Sequence, residues 1–310
     1  MKKITRDKLQ TIFAKEIEPV IEIEPGETLL VETEDALFHT VRTEKDLYKN
    51  FTEIWNTLKG NNPVTGPIYI KGAQPGDNIA VKIEKMECFD PWTNTIQGLG
   101  GLSDFLDIKP DLPATATICS IEDGMVIYPT SKGDLKIPIA PMIGTIGVAP
   151  LVDRYRSHYH SPEHLGNVDV TDICPGNTVI MPVNVEGALL ALGDCHAAQG
   201  DGELCGTALE CRADVTITVD LIKKKDAKYM ECPQIEYPDA IGSIGCIFMS
   251  SMDDIIRAAY RDILRRMEKY YGFDLIEAYK LITQVGEIVI GQIVPPLCTC
   301  VAKIKKEYLL

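Results

Sequence analysis

The feature that most constrains the fold is a turn unit that recurs three times along the chain. The segments EPGETLLVETEDA, QPGDNIAVKIEKMEC and CPGNTVIMPV, which begin at Glu24, Gln74 and Cys174, each place Pro-Gly and two polar residues before an apolar run. Proline presets the first corner of a type II turn, and glycine supplies the positive φ at the second. Short strands with Gly and Pro turns favour a β-sandwich or barrel over a wound α/β sheet.

Further short runs rich in β-branched and apolar residues extend this pattern. Residues 125–128, 189–192 and 215–221 are each bounded by polar or Gly-containing segments, which is typical of strands. We therefore expect a mainly β catalytic domain over residues 1–225.

The C-terminal region changes to a helical pattern. Ser250 and Ser251 resemble an N-cap, and Gly272 follows as a stop signal. The apolar stripe between them has helical spacing and comprises Ile255, Ala259, Ile263, Met267 and Tyr270. A second helix is predicted over residues 274–284, closed by Gly286, with strands in EIVIGQIV and in the tail. We expect residues 226–310 to form a smaller α+β portion whose two helices pack on the β domain.

Charge and cysteine content limit the possible partners and compartment. The 310 residues carry a formal net charge of -14, which would repel nucleic acid and anionic membranes. The N-terminus lacks the continuous apolar segment of a signal peptide. The ten cysteines are scattered, which suits reduced thiols. We expect a cytoplasmic protein without nucleic-acid or membrane partners.

One acidic segment, LALGDCHAAQGDGELCGTALE over residues 190–210, concentrates candidate ligands and contains no Lys or Arg. Asp194 and His196 are two residues apart, so on a strand both would face the same side and could bind one metal ion. Two glycines in the following loop could return Glu203 to His196 as a proton acceptor. Ordinary hairpin chemistry would also explain the Asp-Gly pairs, and both interpretations stay open on spacing alone.

Three other segments have both a functional and a structural interpretation. His158 and His160 lie in a polar loop, RYRSHYHSPEHLGNVDV, where chance clustering is the simpler explanation. His164 and Asn167, in the same segment, are better placed because they precede the strands leading to Asp194. Gly144 and Gly147 could form the wall of a pocket or pack in the core. Glu34 and Asp35 could be a solvated strand end or a pair of metal ligands.

Cys195 lies inside the acidic segment but is a weak candidate nucleophile. A reactive thiolate needs a positive environment, and carboxylates surround this cysteine in the sequence. Cys195 would also face away from Asp194 and His196 on a strand. A buried structural role is the favoured interpretation.

The segment GDCHAAQGDGELCGTALE closely resembles the signature of the acetamidase/formamidase family. Further blocks of this chain resemble the family in the same order and, with the signature, cover most of residues 20–220. They include EPGETLLVETEDA, NPVTGPIYIKGAQPGDNIAVKI, KIPIAPMIGTIGVAP and HLGNVDVTDICPGNTVIMPV. The resemblance implies a mostly β fold and hydrolysis of formamide or acetamide to carboxylate and ammonia, with zinc as the usual metal.

Residue by residue, the resemblance implies a metal held by Asp35, Asp194 and His196. Glu203 would take a proton from water, and Asn167 would donate to the developing oxyanion. We expect the substrate pocket to include Gly144, Gly147, His164 and Gln199. His39 and Leu165 depart from the family pattern, which leaves substrate choice and assembly open.

The predicted function is therefore metal-assisted hydrolysis of a small neutral amide by a homo-oligomer, most simply a dimer. A divalent cation would also compensate the local negative charge. Zinc is the expected metal, and calcium is possible because oxygen-rich loops suit it. Two alternatives remain: a cysteine-dependent amidase using Cys195, and a non-catalytic, calcium-stabilised β-sandwich that binds a small ligand.

Overall fold

The computed structural model describes residues 1–102, 112–152 and 154–309. Strands account for 41% of the residues and helices for 14%, so the prediction of a mainly β fold with a smaller helical portion is confirmed. Across the described ranges, no helix combines the length and apolar character needed to cross a membrane.

The secondary structure begins with a series of mostly short strands interrupted by one helix. The strands before residue 140 are β1 (Lys2–Ile4), β2 (Leu9–Gln10), β3 (Ile12–Phe13), β4 (Ile21–Ile23), β5 (Glu27–Thr33), β6 (Val64–Ile70), β7 (Asn78–Thr95), β8 (Thr115–Ile118), β9 (Ser120–Glu122), β10 (Met125–Tyr128) and β11 (Leu135–Pro138). The helix in this part is α1 (Phe51–Leu58).

The second half contains the longer antiparallel ladders and two helices. Its strands are β12 (Met142–Gly147), β13 (Tyr155–Arg156), β14 (His160–Ser161), β15 (Leu165–Asn167), β16 (Thr178–Pro182), β17 (Leu190–His196), β18 (Glu210–Ile222), β19 (Gln234–Glu236), β20 (Ala240–Gly245), β21 (Glu287–Val294) and β22 (Leu297–Lys305). Its helices are α2 (Met252–Tyr270) and α3 (Leu275–Val285), and a short 3₁₀ helix spans Lys306–Tyr308.

Seventeen of the described strands join in one hydrogen-bonded network that is mostly antiparallel. Strand β18 lies between β5 and β7 and pairs antiparallel with both. Its side chains alternate in burial, with Val215, Ile217 and Val219 fully buried and the threonines between them facing outward. Each buried branched side chain contributes about 1.5–3 kcal/mol of transfer free energy, so this alternation fixes which face of β18 meets the core.

The three Pro-Gly turn units form as predicted. Gly26, Gly76 and Gly176 have φ values of 83°, 94° and 96°, which an L-residue with a side chain rarely adopts. Strands β5, β7 and β16 follow directly after the three turns. The turns thus precede strands that pair within one network. Strands β5 and β7 both pair with β18, and β16 pairs with β7.

The two C-terminal helices begin where the sequence predicts them, α2 after the predicted cap and α3 next to Asp274. The Ser251 hydroxyl accepts a hydrogen bond from the Asp254 amide, and Asp274 caps α3 in the same way. The stripe of α2 packs on β20 and β22, where Ile255 and Met267 share a core with Ile304. Tyr270, predicted in the same stripe, is instead 40% exposed because it lies in the last turn of the helix.

Helix α1 is an element that the sequence patterns above do not indicate. Asn50 caps it by accepting a hydrogen bond from the Glu53 amide, and the Glu53 carboxylate in turn accepts one from the Lys49 amide. This Asn-x-x-Glu arrangement is a capping signal, but the helix has only eight residues and shows too few turns for its periodicity to stand out. It contributes Phe51 and Ile54 to the cavity described below.

The division into residues 1–225 and 226–310 remains a prediction. The second portion is hydrogen-bonded to the main network, since β19 pairs with β16. All ten cysteines are free thiols.

Candidate active site

A cavity of about 90 Å³ opens where β15, β17 and β18 meet helix α1 and strand β21. One part of its wall is apolar and includes Leu37, Phe51, Ile54, Trp92 and Leu297. The other part is polar and contains Asn61, Asn62, His158, Asn167, Asp169, Asp194, Glu203, Glu210 and Gln292. The cavity is therefore small and is lined by both apolar and acidic side chains.

Asp194 and His196 converge at the end of β17, as the sequence predicts. Asp194 Oδ1 lies 3.7 Å from His196 Nε2, and both side chains are almost completely buried. The backbone of Asp194 has a φ of 53°, so β17 is locally irregular rather than evenly alternating. Strand β18 adds Glu210 because it pairs directly with His196, and Glu210 Oε2 lies 3.5 Å from His196 Nε2.

Gln199 fixes the orientation and tautomer of the His196 ring. The Gln199 Nε2 group donates to the carbonyl oxygens of Asp169 and Gly291 at 2.6 and 3.1 Å, so Oε1 is an acceptor. Oε1 lies 2.9 Å from His196 Nδ1, which must therefore carry the proton. In the neutral ring this leaves a lone pair on Nε2, the arrangement typical of a metal-ligating histidine.

When the His196 ring is neutral, three buried acceptors consequently face one another. Among the described residues, Asp194 Oδ1, His196 Nε2 and Glu210 Oε2 have no hydrogen-bond partner. One ligand atom from each of these residues lies within 4.8 Å of the other two. Buried acceptors are costly when unpaired, and a divalent cation would satisfy all three at once, so the donor set fits a metal ion.

A second overlapping group extends the cluster toward the cavity. Asp169, His196 and Glu203 also place one ligand atom each within 4.8 Å of one another. Glu203 has a φ of 46° and lies in a loop that strand β21 holds, since Gly202 exchanges backbone hydrogen bonds with Gly291 and Ile293. The loop therefore brings Glu203 beside His196, as the sequence predicts.

The electrostatics of the cluster reflect burial and like charge. Burial raises the pKa of Asp169 and of Glu203 well above the ordinary values, and neighbouring carboxylates add to the effect. Burial chiefly raises the pKa of Glu210 as well. Burial lowers the pKa of His196, but Glu210 and Asp194 outweigh it and raise that pKa overall. These directions, for three carboxyl groups and one imidazole, follow from burial together with an excess of negative charge in the cluster.

Asn167 lies at the edge of the cluster, on the cavity wall. Its Oδ1 accepts hydrogen bonds from Thr145 Oγ1 at 2.6 Å and Asn62 Nδ2 at 3.1 Å. Its Nδ2 donates one hydrogen to Asp169 Oδ2 at 2.8 Å. The second amide hydrogen has no acceptor within the described ranges and is free to meet a ligand.

Asp35 does not join this cluster, although the family resemblance placed it among the metal ligands. Its Oδ1 accepts from the amides of Leu37 and His39 at 3.0 and 2.8 Å, and its Oδ2 accepts from Trp92 Nε1 at 3.2 Å. Asp35 thus holds the turn and the indole that form part of the cavity wall. It belongs to a separate group with Glu34 and His39.

The four residues expected in the substrate pocket lie behind the cavity wall rather than on the described lining. Gly144 touches the cluster, because a Cβ there would lie 2.5 Å from Asp169 Oδ1 and 2.7 Å from the Asp194 carbonyl. Gly147 instead packs against the His164 carbonyl, and His164 itself is buried in a stack with Tyr155. Gln199 acts through His196 as described above.

Several residues of the site are not indicated by the sequence patterns. Glu210 is 14 positions beyond His196, and only the register of β17 with β18 brings the two together. Gln292 Nε2, from β21, donates to Asp169 Oδ2 at 2.7 Å. His158, whose cluster was interpreted as a chance feature of a polar loop, is buried and lines the cavity. Strand register and long-range contact carry no local signal in one sequence.

The acetamidase/formamidase family model matches residues 2–161 and 156–301 of this chain. The solved acetamidase from Bacillus halodurans is 29% identical, covers 99% of this chain and 98% of its own, and superposes with a TM-score of 0.88. The solved acetamidase from Yersinia enterocolitica is 34% identical, with 98% of this chain and 91% of its own covered, at a TM-score of 0.88.

A curated relative, the formamidase of Methylophilus methylotrophus, is 27% identical over 221 residues, which are 54% of this chain and 53% of the formamidase. A relative from Schizosaccharomyces pombe aligns over 61% of its length. The chain thus spans less than two thirds of these curated relatives, whereas the family model covers nearly all of the chain. By its sequence and its fold, the chain belongs to the acetamidase/formamidase family.

Proposed function

We propose that this chain hydrolyses short aliphatic amides, such as formamide and acetamide, to the carboxylate and ammonia with the help of a divalent metal. The observation that carries the proposal is the group of three unpaired acceptors at Asp194, His196 and Glu210, which no other described residue satisfies, beside a small cavity. The named activities of the relatives in this family support the same reaction class.

Asp194, His196 and Glu210 would hold the metal, and Asp169 lies beside them. A bound divalent cation would supply Lewis acidity and lower the pKa of water. The imidazole nitrogen favours zinc or a similar transition metal, because calcium prefers an all-oxygen set. Glu210 therefore replaces Asp35 in the proposed ligand set.

Glu203 is the proposed proton acceptor. Its carboxyl lies on the cavity wall and within reach of the cluster, where it can take a proton from the attacking water. The same group then returns the proton to the amide nitrogen as the C–N bond breaks, and ammonia leaves. Asn167 donates its free amide hydrogen to the carbonyl oxygen as negative charge develops there.

The size of the cavity supports a short acyl group. An engineered cavity of about 150 Å³ binds benzene. The cavity of about 90 Å³ is smaller, which favours an amide with a short acyl group. Its apolar wall around Leu37 and Trp92 would contact the alkyl part.

A cysteine mechanism is disfavoured by the position of Cys195. The residue is fully buried in the hydrophobic core, and burial raises the pKa of its thiol. Its Sγ accepts a hydrogen bond from Thr33 Oγ1, and Cys195 does not line the described cavity. A thiol with these neighbours cannot serve as a low-pKa nucleophile.

The cytoplasmic location and the homodimer stay proposals of the same kind. The ten free thiols are compatible with a reducing compartment. Size-exclusion chromatography with light scattering would decide the oligomeric state.

The decisive experiment measures ammonia release from formamide and acetamide together with metal content, before and after chelation. We expect turnover to disappear on chelation and to return with zinc. A purified, metal-loaded protein that releases no ammonia from any short amide would contradict the proposed activity. Turnover that survives complete removal of the metal would contradict the metal-assisted mechanism and leave the activity standing.

A further inference from the structure

One residue of the cavity wall, Asn61, carries a polar atom that the mechanism above does not use. Asn61 is 9% exposed and lies on the polar side of the cavity. Its Oδ1 is buried and has no hydrogen-bond partner within residues 1–102, 112–152 and 154–309. A buried, unpaired acceptor is unfavourable, so its retention in a residue that lines the cavity points to a ligand that donates a hydrogen to it.

The orientation of the Asn61 amide is fixed by a chain of hydrogen bonds that starts at the cluster. The Asp194 carboxylate only accepts, so the Asn62 atom 2.6 Å from its Oδ2 must be Nδ2. Asn62 Oδ1 therefore faces Asn61, and the Asn61 atom 2.6 Å from it must be the donor, Nδ2. This leaves Asn61 Oδ1 as the free acceptor.

The backbone around Asn61 holds this arrangement in place. The Asn61 carbonyl accepts a hydrogen bond from Ser157 Oγ at 2.9 Å, and the Asn62 amide donates to the Ala36 carbonyl at 2.8 Å. Asn62 itself has a φ of 47°, so the chain turns sharply here and places both side chains on the same wall. The acceptor is thus pre-oriented before any ligand enters.

The chemical complement of a fixed acceptor beside the cluster is an N–H group. A primary amide carries two N–H donors on the nitrogen next to its carbonyl, whereas an ester of the same shape carries none. We propose that Asn61 Oδ1 accepts an N–H of the substrate amide nitrogen and thereby makes the cavity select amides over esters. This inference rests on the proposed amide hydrolysis and adds the residue that recognises the nitrogen.

His158 is less suited to accept the N–H of the substrate nitrogen, although its Nδ1 is also buried and unpaired among the described residues. Burial lowers the pKa of His158 to about 4, so its ring is neutral near pH 7. Within the described part of the chain, no hydrogen bond fixes which His158 nitrogen carries the proton, whereas the hydrogen bonds through Asn62 fix the Asn61 acceptor.

The test compares kcat/KM for acetamide and for methyl acetate in the zinc-loaded enzyme. Asn61→Ala removes the acceptor, and Asn61→Leu removes it while keeping the volume. We expect kcat/KM for acetamide to fall about 10- to 100-fold in both variants, with little change for methyl acetate. The zinc content of each variant is measured to verify that Asp194 and its neighbours still bind the metal.

Asn94→Ala is the matched control. Asn94 is also a buried asparagine whose Oδ1 has no partner in the described part of the chain, but it does not line the cavity. We expect the ratio of amide to ester hydrolysis in this variant to stay at the wild-type value.

Three results would overturn the inference in different ways. If Asn61→Leu lowers acetamide and methyl acetate hydrolysis by the same factor, Asn61 supports the site structurally and does not bind the amide nitrogen of the substrate. The amidase activity would then still stand. If the wild-type enzyme hydrolyses methyl acetate but no amide, the proposed function fails together with the role of Asn61. If both Asn61 variants fail to fold, the wild-type binding constants decide, and equal affinity for acetamide and methyl acetate would refute the role.

Discussion

Gln199 Oε1 lies 2.9 Å from His196 Nδ1, and this contact leaves the lone pair of the neutral ring on Nε2, facing two carboxylates. Gln199 therefore positions a proposed metal ligand and is not itself one of the proposed ligands. Partners of this kind set the tautomer and orientation of ligating histidines.

We expect Gln199→Leu to weaken zinc affinity about 10- to 100-fold, because the His196 ring loses the acceptor that holds its tautomer. Competition with a chromophoric chelator measures this affinity. Gln74→Leu, a change at an exposed glutamine, is the control and should bind zinc like the wild type. Unchanged affinity in Gln199→Leu would show that the contact does not matter for the metal.

Glu203→Gln is expected to lower kcat about 10²- to 10⁴-fold, because the amide cannot accept the proton of the attacking water. Zinc content should stay close to that of the wild type, since Asp194, His196 and Glu210 are untouched. Asp201→Asn, at an exposed position of the same loop, is the matched control and should keep its activity. A Glu203→Gln variant with wild-type turnover would remove Glu203 from the mechanism.

Glu210→Gln and Asp35→Asn together test the proposed ligand set. Glu210→Gln should lose zinc and activity, since it removes one of the three acceptors around His196 Nε2. Asp35→Asn should retain zinc but lose about 1–3 kcal/mol in the free energy of unfolding, because Asp35 accepts hydrogen bonds from Trp92 and from backbone amides. Zinc analysis and denaturant unfolding measure the two effects, and loss of zinc from Asp35→Asn would restore it as a ligand.

Gly144→Ala should disturb the cluster through packing alone. The added Cβ would lie 2.5 Å from Asp169 Oδ1 and 2.7 Å from the Asp194 carbonyl, so these groups would have to move. We expect lower zinc content and lower kcat. Gly200→Ala is the control, because a Cβ at Gly200 meets no atom within 4 Å. Equal behaviour of the two variants would mean that Asp169 and Asp194 tolerate displacement.

The parts of the fold that the sequence predicts are those with local signals. Pro-Gly turns before apolar runs place β5, β7 and β16, and Ser251 and Asp274 mark the starts of α2 and α3. The short helix α1 is not predicted from the sequence because eight residues show little periodicity.

In the site, too, residues that are close in sequence can be predicted together, and residues that strand pairing brings together cannot. Asp194 and His196 are two residues apart, and Glu203 follows in a glycine-rich loop, so their proximity is partly local. Glu210 arrives through the pairing of β17 with β18, and Gln292 comes from nearly the other end of the chain. Asp35 matches the family pattern, but its neighbours already use its carboxylate oxygens as acceptors. Such relationships depend on register and contact, which one sequence does not encode locally.

Strand β21 contacts both Asp169 and the Glu203 loop, and it is synthesised after both of them. A ribosome releases β17, β18 and their acidic side chains well before Gln292 and Gly291 leave the exit tunnel. Until then, Gln199 lacks one of its carbonyl acceptors and Asp169 lacks one of its donors. Among the described residues, β21 thus supplies the late contacts of the candidate site, so a nascent chain that lacks β21 carries the proposed metal ligands without these hydrogen bonds.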